Sequence, residues 1–316
     1  MAPVRHRGTA LHRAWPQPRT GAGAPAARLG AGSVSVAAVD ALPEVIVPIH
    51  DGVDALSACL ASLRRTLPPQ ARLQLVDDAS GDPRVGALLH AFSAAAPCAL
   101  ALHVQARNLG FVATVNAAMA RAQGDVVLLN SDTVATPGWL QRLARCAATV
   151  PRLATATPWS NNAEICSFPL FCRANPVPAD PDAVAAAAAR LAAEYPELPT
   201  AVGFCMLIRR AALDAIGDFD AATFGRGYGE ENDFCQRAAA HGLRNVLCDD
   251  AFVAHVGGQS FAPLGLAPGG ENLGRLVARY PRYNAEVADF IARDPLAPRR
   301  AALAAQLTGA PAGTLS

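Results

Sequence analysis

The chain has 316 residues, 52% of them apolar and 17% charged, with a formal net charge of +1. That length and apolar share allow one large α/β domain or two small ones and exclude global disorder. The near-neutral charge argues against nucleic acid as the main partner.

In chain order, residues 1–40 are rich in Pro, Gly, Ala and Arg, without a periodic apolar pattern or the apolar run of a secretory signal. Their Arg-rich, acid-poor composition resembles a transit peptide, but a disordered N-terminal tail is the plainer reading. From Pro43, short apolar runs alternate with helical patterns. Glu44 to Ile49 is expected as a strand buried on both faces, and Val53, Leu56, Leu60 and Leu63 recur at helical spacing. Leu73 to Val76, Ala99 to Val104 and Val126 to Leu129 are the next strands, with a helix around Asn116 to Ala122. This alternation predicts a mainly parallel sheet flanked by helices.

Further along, Leu153 to Trp159 reads as a strand, followed by the polar segment Ser160 to Cys166. Asp182 to Tyr195 is expected as an Ala-rich helix and Val202 to Ile208 as a strand. Asp233 to His241 is a helix closed by Gly242, and Val246 to Cys248 and Phe252 to His255 are short strands. Leu273 to Ile291 supplies helical turns broken at Pro281, before a tail rich in Ala and Arg. The expected organisation is therefore a tail at 1–40, a main α/β domain at 41–270, and C-terminal helices with a flexible tail at 271–316. The longest Ala run is cut by Arg190 and is far too short to span a bilayer. Eight scattered cysteines without a Cys-x-x-Cys pair read as small core residues in a reducing compartment, so the chain is expected to be soluble and cytoplasmic.

In a parallel sheet, ligands sit beyond the carboxyl ends of the strands. Polar groups follow the strands here: His50-Asp51-Gly52, Asp77-Asp78-Ala79-Ser80, Arg107-Asn108 and Asn130-Ser131-Asp132. Asp77 or Asp78 can accept hydrogen bonds from a base or a ribose, although an Asx turn uses the same residue types. Asp132 can hold a hard cation that completes its shell with phosphate oxygens and water. Glu230, Glu231 and Asp233 crowd the first turn of a helix, more acid than the helix dipole needs, and one carboxylate could act as a general base. Absent are a Gly-x-Gly-x-x-Gly turn after the first strand, a Lys-bearing phosphate loop (the chain has no Lys) and a Gly-x-Ser-x-Gly elbow.

From Pro43 to Phe261, these residues in this order resemble the family 2 glycosyltransferases of the GT-A fold, in particular rhamnosyltransferase-like members. The motifs are Val45-Ile46-Val47-Pro48, Val76-Asp77-Asp78-Ala79-Ser80, Arg107-Asn108-Leu109-Gly110-Phe111, Leu129-Asn130-Ser131-Asp132-Thr133, Gly229-Glu230-Glu231 and His255. His50-Asp51 stands where an Asn is usual, Asn130 replaces the first Asp of the metal motif, and Glu231 stands where Asp is usual in the base motif.

The resemblance implies inverting transfer of a sugar from a nucleotide diphosphate, a UDP- or dTDP-sugar, to a hydroxyl acceptor in cell-surface or secreted glycan synthesis. Glu231 would be the base, with Glu230 beside it. Pro48, Asp77, Asp78, Asn108 and Asp132 would bind the nucleotide sugar, and Asp132 and His255 a divalent metal, Mn or Mg. The implied partners are a nucleotide-sugar donor and a glycan or lipid-linked acceptor, which leaves peripheral membrane association open. A sugar nucleotidyltransferase and a non-catalytic nucleotide-sugar-binding module are the alternatives. The first would carry a Gly-rich basic loop after the first strand, and the second would not need Asp132, Glu230, Glu231 and His255 together.

Overall fold

A computed structural model describes residues 42–225, 227–257 and 270–309. The expectations for the N-terminal tail, for Gly258 to Phe261 and for the last residues of the chain lie outside them. The first half follows the expected alternation: β1 (Glu44–Ile49), α1 (Val53–Thr66), β2 (Arg72–Asp77), α2 (Pro83–Ser93), β3 (Ala99–Val104), α3 (Phe111–Arg121) and β4 (Val126–Leu129). A two-residue strand, β5 (Thr133–Val134), leads to α4 (Trp139–Thr149) and β6 (Leu153–Trp159).

The second half departs from expectation in several places. Helix α5 (Pro181–Ala188) is shorter than the predicted Asp182–Tyr195. Asp180 caps its start by accepting the Ala183 N–H at 3.0 Å. Further on, the Glu194 and Tyr195 N–H groups turn to the Asp249 carboxylate instead of back along a helix. Strand β7 begins only at Cys205 (Cys205–Ile208), because Gly203 and Phe204 form the turn before it.

Helices α6 (Arg210–Ile216), α7 (Ala221–Phe224) and α8 (Glu230–Ala240) follow. The expected short strand at Val246–Cys248 is part of the nine-residue β8 (Arg244–Phe252), and β9 is only Ala254–His255. Adjacent acids usually mark a loop, but Asp249 and Asp250 are fully buried in β8. Arg299 pairs with Asp249 at 2.6 Å, and Arg145 pairs with Asp250. After α9 (Glu271–Arg279) and α10 (Tyr283–Arg293), the Ala- and Arg-rich stretch forms another helix, α11 (Ala297–Thr308).

Seven strands form one sheet in the order β3-β2-β1-β4-β7-β6-β8. The block β3 to β4 is parallel, as is β6 with β8, while β7 runs antiparallel to both its neighbours. Successive side chains alternate between faces. Val45, Val47, Ile49, Val127 and Leu129 pack with α1, α2 and α4, whereas Ile46, Val126 and Leu128 pack with α3, α6 and α8. Both faces are thus covered, which is why the strands read as unbroken apolar runs. All eight cysteines are free thiols; six are buried as small core residues, whereas Cys98 is half-buried and Cys172 is exposed, against the expectation for those two.

Candidate active site

The carboxyl ends of β1, β2 and β4 open into one cavity of about 790 Å³. Its far wall comes from the segment after β6, the start of α8, and α9.

At the β1–β2 end, two loops organise each other. Asp51 N–H donates to Ser80 Oγ at 2.9 Å, and Asp51 Oδ1 accepts the Gly81 and Asp82 N–H groups at 2.8 and 2.9 Å. Asp77 Oδ1 accepts the Ser80 N–H at 2.9 Å, so its carboxylate closes the Asx turn. Asp77 is not among the described residues lining the cavity; Pro48, Asp78 and Asn108 are. Asp78 receives the N–H groups of Leu109 and Gly110 at 2.7 and 2.8 Å, one on each oxygen. That clasp fixes the loop before α3 and sets the Asn108 amide against the His50 ring, 3.2 Å from its nitrogens.

The small sheet of β5 and β9 builds the centre. Thr133 pairs with His255, and Val256 N–H donates to Asp132 O at 2.9 Å. This register brings residues 123 positions apart together, with His255 Nε2 3.3 Å from Asp132 Oδ1. Burial opposes a charge on His255, but the hydrogen bond and the charge of Asp132 outweigh it and raise the imidazole pKa. The other ring nitrogen, Nδ1, lies 2.7 Å from the Asn162 carbonyl, which can only accept, so the hydrogen-bond network assigns Nδ1 a proton.

With Nδ1–H so placed, neutral His255 turns the Nε2 lone pair toward a carboxylate oxygen. Two acceptors face each other, and either a proton or a cation must lie between them. Ligand atoms at roughly 2.1 Å from one ion and at right angles are roughly 3 Å apart, so a divalent cation fits this donor pair. Among the described residues no third His, Cys, Asp or Glu completes a metal group. Oxygens from a ligand would have to complete the shell.

The third feature is acidic. Glu230 is 4% exposed and its Oε2 has no hydrogen-bond partner. Burial and the neighbouring charge of Glu231 hold its carboxyl well above the usual range, and burial raises Glu231 as well. The two carboxyls act on each other, and their shared burial disfavours a second negative charge on the pair. Asp233, the third acid of this turn, is structural: it is fully buried and bonded to Arg237, Arg279 and the Tyr280 hydroxyl.

The loop entering α8 needs glycine. Gly229 has φ +101°, and a Cβ there would meet the Phe224 ring at 3.0 Å. Asn272 of α9 donates to the carbonyls of Phe224 and Gly227, both at 2.8 Å. The approach to α8 is thus pinned at Phe224 and at Gly227.

Two features of the site escape sequence reasoning. Glu164 lies in the cavity, where its charge acts on Glu231 and partial desolvation raises its own pKa. Asn161 and Asn162 contact His255. All three lie in the segment Ser160 to Cys166, whose polarity after a buried strand is the only signal in the sequence.

Over residues 44–217 the sequence matches the family model described as Glycosyl transferase family 2. No curated protein matches it. Among solved structures, the chain is similar to GalNAc-T7 crystallised with UDP, GalNAc and Mn2+, at 15% identity and a TM-score of 0.57. That alignment covers 82% of this chain and 52% of the other, so this chain spans about half of that neighbour's length. It is also similar to the mannosyltransferase PcManGT from Pyrobaculum calidifontis in complex with GDP-Man and Mn2+, at 17% identity and a TM-score of 0.51, covering 88% of this chain and 78% of that one. A third neighbour is S. aureus TarS 1-349 in complex with UDP-GlcNAc, at 15% identity and a TM-score of 0.52, with coverages of 84% and 80%. At these identities the likeness is one of fold.

Proposed function

The chain belongs to glycosyl transferase family 2 and has the GT-A fold, and from that premise we propose that it is a metal-dependent, inverting enzyme. It moves a sugar from a nucleotide diphosphate, a UDP- or dTDP-sugar, to a hydroxyl acceptor. The carrying observation is that one cavity holds the Asp78–Asn108 end, the Asp132–His255 pair and the Glu230–Glu231 pair. The UDP, GDP-Man, UDP-GlcNAc and Mn2+ of the neighbouring structures support a nucleotide-sugar donor and a divalent ion.

In this reading Pro48, Asp78 and Asn108 line the nucleoside end, and Asp77 acts indirectly by shaping the turn. Asp132 and His255 hold Mn or Mg. When bound, that ion offsets the negative charge developing on the diphosphate. Glu231 accepts the proton of the acceptor hydroxyl as the oxygen bonds to C1 of the sugar. The C1–O bond to phosphate breaks on the opposite face, and its electron pair leaves with the nucleoside diphosphate. Glu230, neutral, donates a hydrogen bond to Glu231 and keeps the pair at a single negative charge. Asn130 before Asp132 supports a rhamnosyltransferase-like place in the family, and a glycan or lipid-linked acceptor in the cytoplasm completes the proposal. Among the described residues no helix is long and apolar enough to cross a membrane.

The test is release of nucleoside diphosphate from UDP- and dTDP-sugars, with and without Mn2+, in wild type and Asp132→Ala. Metal-dependent release that Asp132→Ala abolishes is the expected result. Release that ignores both the metal and the substitution would overturn the metal assignment.

A further inference from the structure

We infer that Asn161 is a positioning residue for the Asp132–His255 pair: its buried amide holds the His255 main chain so that the imidazole presents Nε2 to a divalent cation. This rests on the reading of His255 as a metal ligand.

Asn161 is 1% exposed. Its Oδ1 accepts the His255 N–H and its Nδ2 donates to the His255 carbonyl, both at 2.9 Å. One planar amide thus meets both backbone groups of a single residue, as a neighbouring strand would. On its other edge β9 pairs with β5, where His255 lies opposite Thr133. The His255 main chain is therefore gripped from two sides.

The ring is fixed separately. The Asn162 carbonyl takes Nδ1–H, and the Phe204 ring stacks on the imidazole at 5.2 Å between centroids. Gly257, two residues on, has φ +80°, and a Cβ there would lie 2.2 Å from Asn162 Nδ2. The strand end carrying His255 therefore sits close against the 160–162 segment. Hydrogen bonds of this kind set the tautomer and aim of metal-binding imidazoles, and their loss typically weakens metal affinity 10- to 100-fold.

Asn175 makes a useful contrast. Its amide donates to the carbonyls of Asn161, Leu170 and Arg173, all within its own loop. A residue kept only for loop stability bonds in that manner. Asn161 also donates to the Asn175 carbonyl at 3.0 Å, but directs its acceptor and its other donor to a residue 94 positions away.

The experiment measures Mn2+ binding to the full chain, counting free ion by electron paramagnetic resonance, alone and with UDP or GDP. Melting temperature is followed in parallel. Asn161→Ala should bind Mn2+ on the order of 10- to 100-fold more weakly. Asn161→Ser keeps a polar group in the slot but cannot bridge both His255 backbone groups, so it should show the same loss if the Ala variant fails to fold. Asn175→Ala should lower the melting temperature yet bind Mn2+ within about twofold of wild type, because the carbonyl that receives the Asn161 amide remains. Nitrogen-15 spectra of the metal-free protein, at a pH above the His255 pKa, should show the Nδ1–H tautomer in wild type and a tautomer mixture in the Asn161 variants, because the released His255 main chain no longer holds Nδ1 against the Asn162 carbonyl.

Unchanged Mn2+ affinity in the Asn161 variants would overturn the inference, as would an equal loss in Asn175→Ala, which would make the effect one of loop stability. If His255→Ala bound Mn2+ like wild type, the ligand reading itself would fall, and the inference with it.

Discussion

Adjacent residues on a helix diverge by about 100°, so Glu230 and Glu231 meet different surroundings despite their proximity. Glu230 is buried with an unpaired oxygen, and Glu231 keeps partial access to the cavity. Neutralising Glu231 removes the proton acceptor, so Glu231→Gln should lower turnover on the order of a hundredfold or more while donor binding survives. Glu230→Gln replaces a carboxyl whose charge is disfavoured by burial and by Glu231 with an amide that can still donate, so turnover should fall much less. Turnover at saturating donor and metal, with binding measured by calorimetry, decides between them. A normal Glu231→Gln beside a dead Glu230→Gln would move the base by one residue.

The raised pKa of Glu231 also has a sign. A base works only when deprotonated, so turnover is present above its folded pKa and lost as pH falls through it. The acid limb of the turnover profile should therefore lie above the ordinary carboxylate value of 4.5. Protonation of His255 also weakens metal binding at low pH, but excess Mn2+ shifts that limb and leaves the Glu231 limb in place. A limb at 4.5 or below with metal in excess would remove Glu231 from the role.

At the scale of elements, legibility depends on where a residue finds its partners. Strands β1, β2, β4 and β6 are readable because their apolar runs bury against helices close in sequence, while β3, at the sheet edge, is at most half-buried. In β8 the buried Asp249 is matched by Arg299, 50 residues further on, and Asp250 by Arg145, 105 residues earlier, distances no local pattern reveals. Asn161 has the same difficulty with His255, and Asp77 the reverse one. One of its carboxylate oxygens closes its own turn, a local use that a position after a strand predicts as well as it predicts a ligand role.

The Arg299–Asp249 pair carries a stability prediction. Arg299 is 12% exposed and Asp249 wholly buried, and Arg299 also bonds Glu194 and the Ala192 carbonyl. Removing one partner of a buried pair leaves a charge without its counterion, at a cost of about 3–5 kcal/mol. Arg299→Ala should therefore lose stability of that order in urea titrations near neutral pH. Burial already raises Asp249, and losing Arg299 raises it further. The variant's deficit should shrink as pH falls through that raised value, because a neutral carboxyl needs no cation. A deficit independent of pH would mean that lost packing of α11, not lost charge pairing, sets the cost.

For the whole molecule, donor and metal binding are expected to be interdependent, because the sheet ends and the β5–β9 pair supply parts of one incomplete site. In the proposed site Asp132 and His255 would supply two protein ligands, and among the described residues no third His, Cys, Asp or Glu joins them. A cation held by two side chains binds weakly until diphosphate oxygens complete its shell, and the diphosphate has no Lys anywhere in the chain to neutralise it. Each should therefore raise the affinity of the other, as thermodynamic linkage requires. A ligand of the folded state at 100 times its Kd adds about 2.7 kcal/mol, and in a domain of this size each kcal/mol moves the melting point by roughly 2–4 °C. UDP, dTDP or GDP with Mn2+ should thus raise the melting temperature by several degrees more than the two separate shifts combined. The base that gives the largest joint shift identifies the donor class. Asp132→Ala should reduce the joint shift to the sum of its parts, since no cation then bridges protein and diphosphate. Additive shifts in wild type would mean that nucleotide and metal bind independently, and the Asp132–His255 pair would lose its place beside the diphosphate.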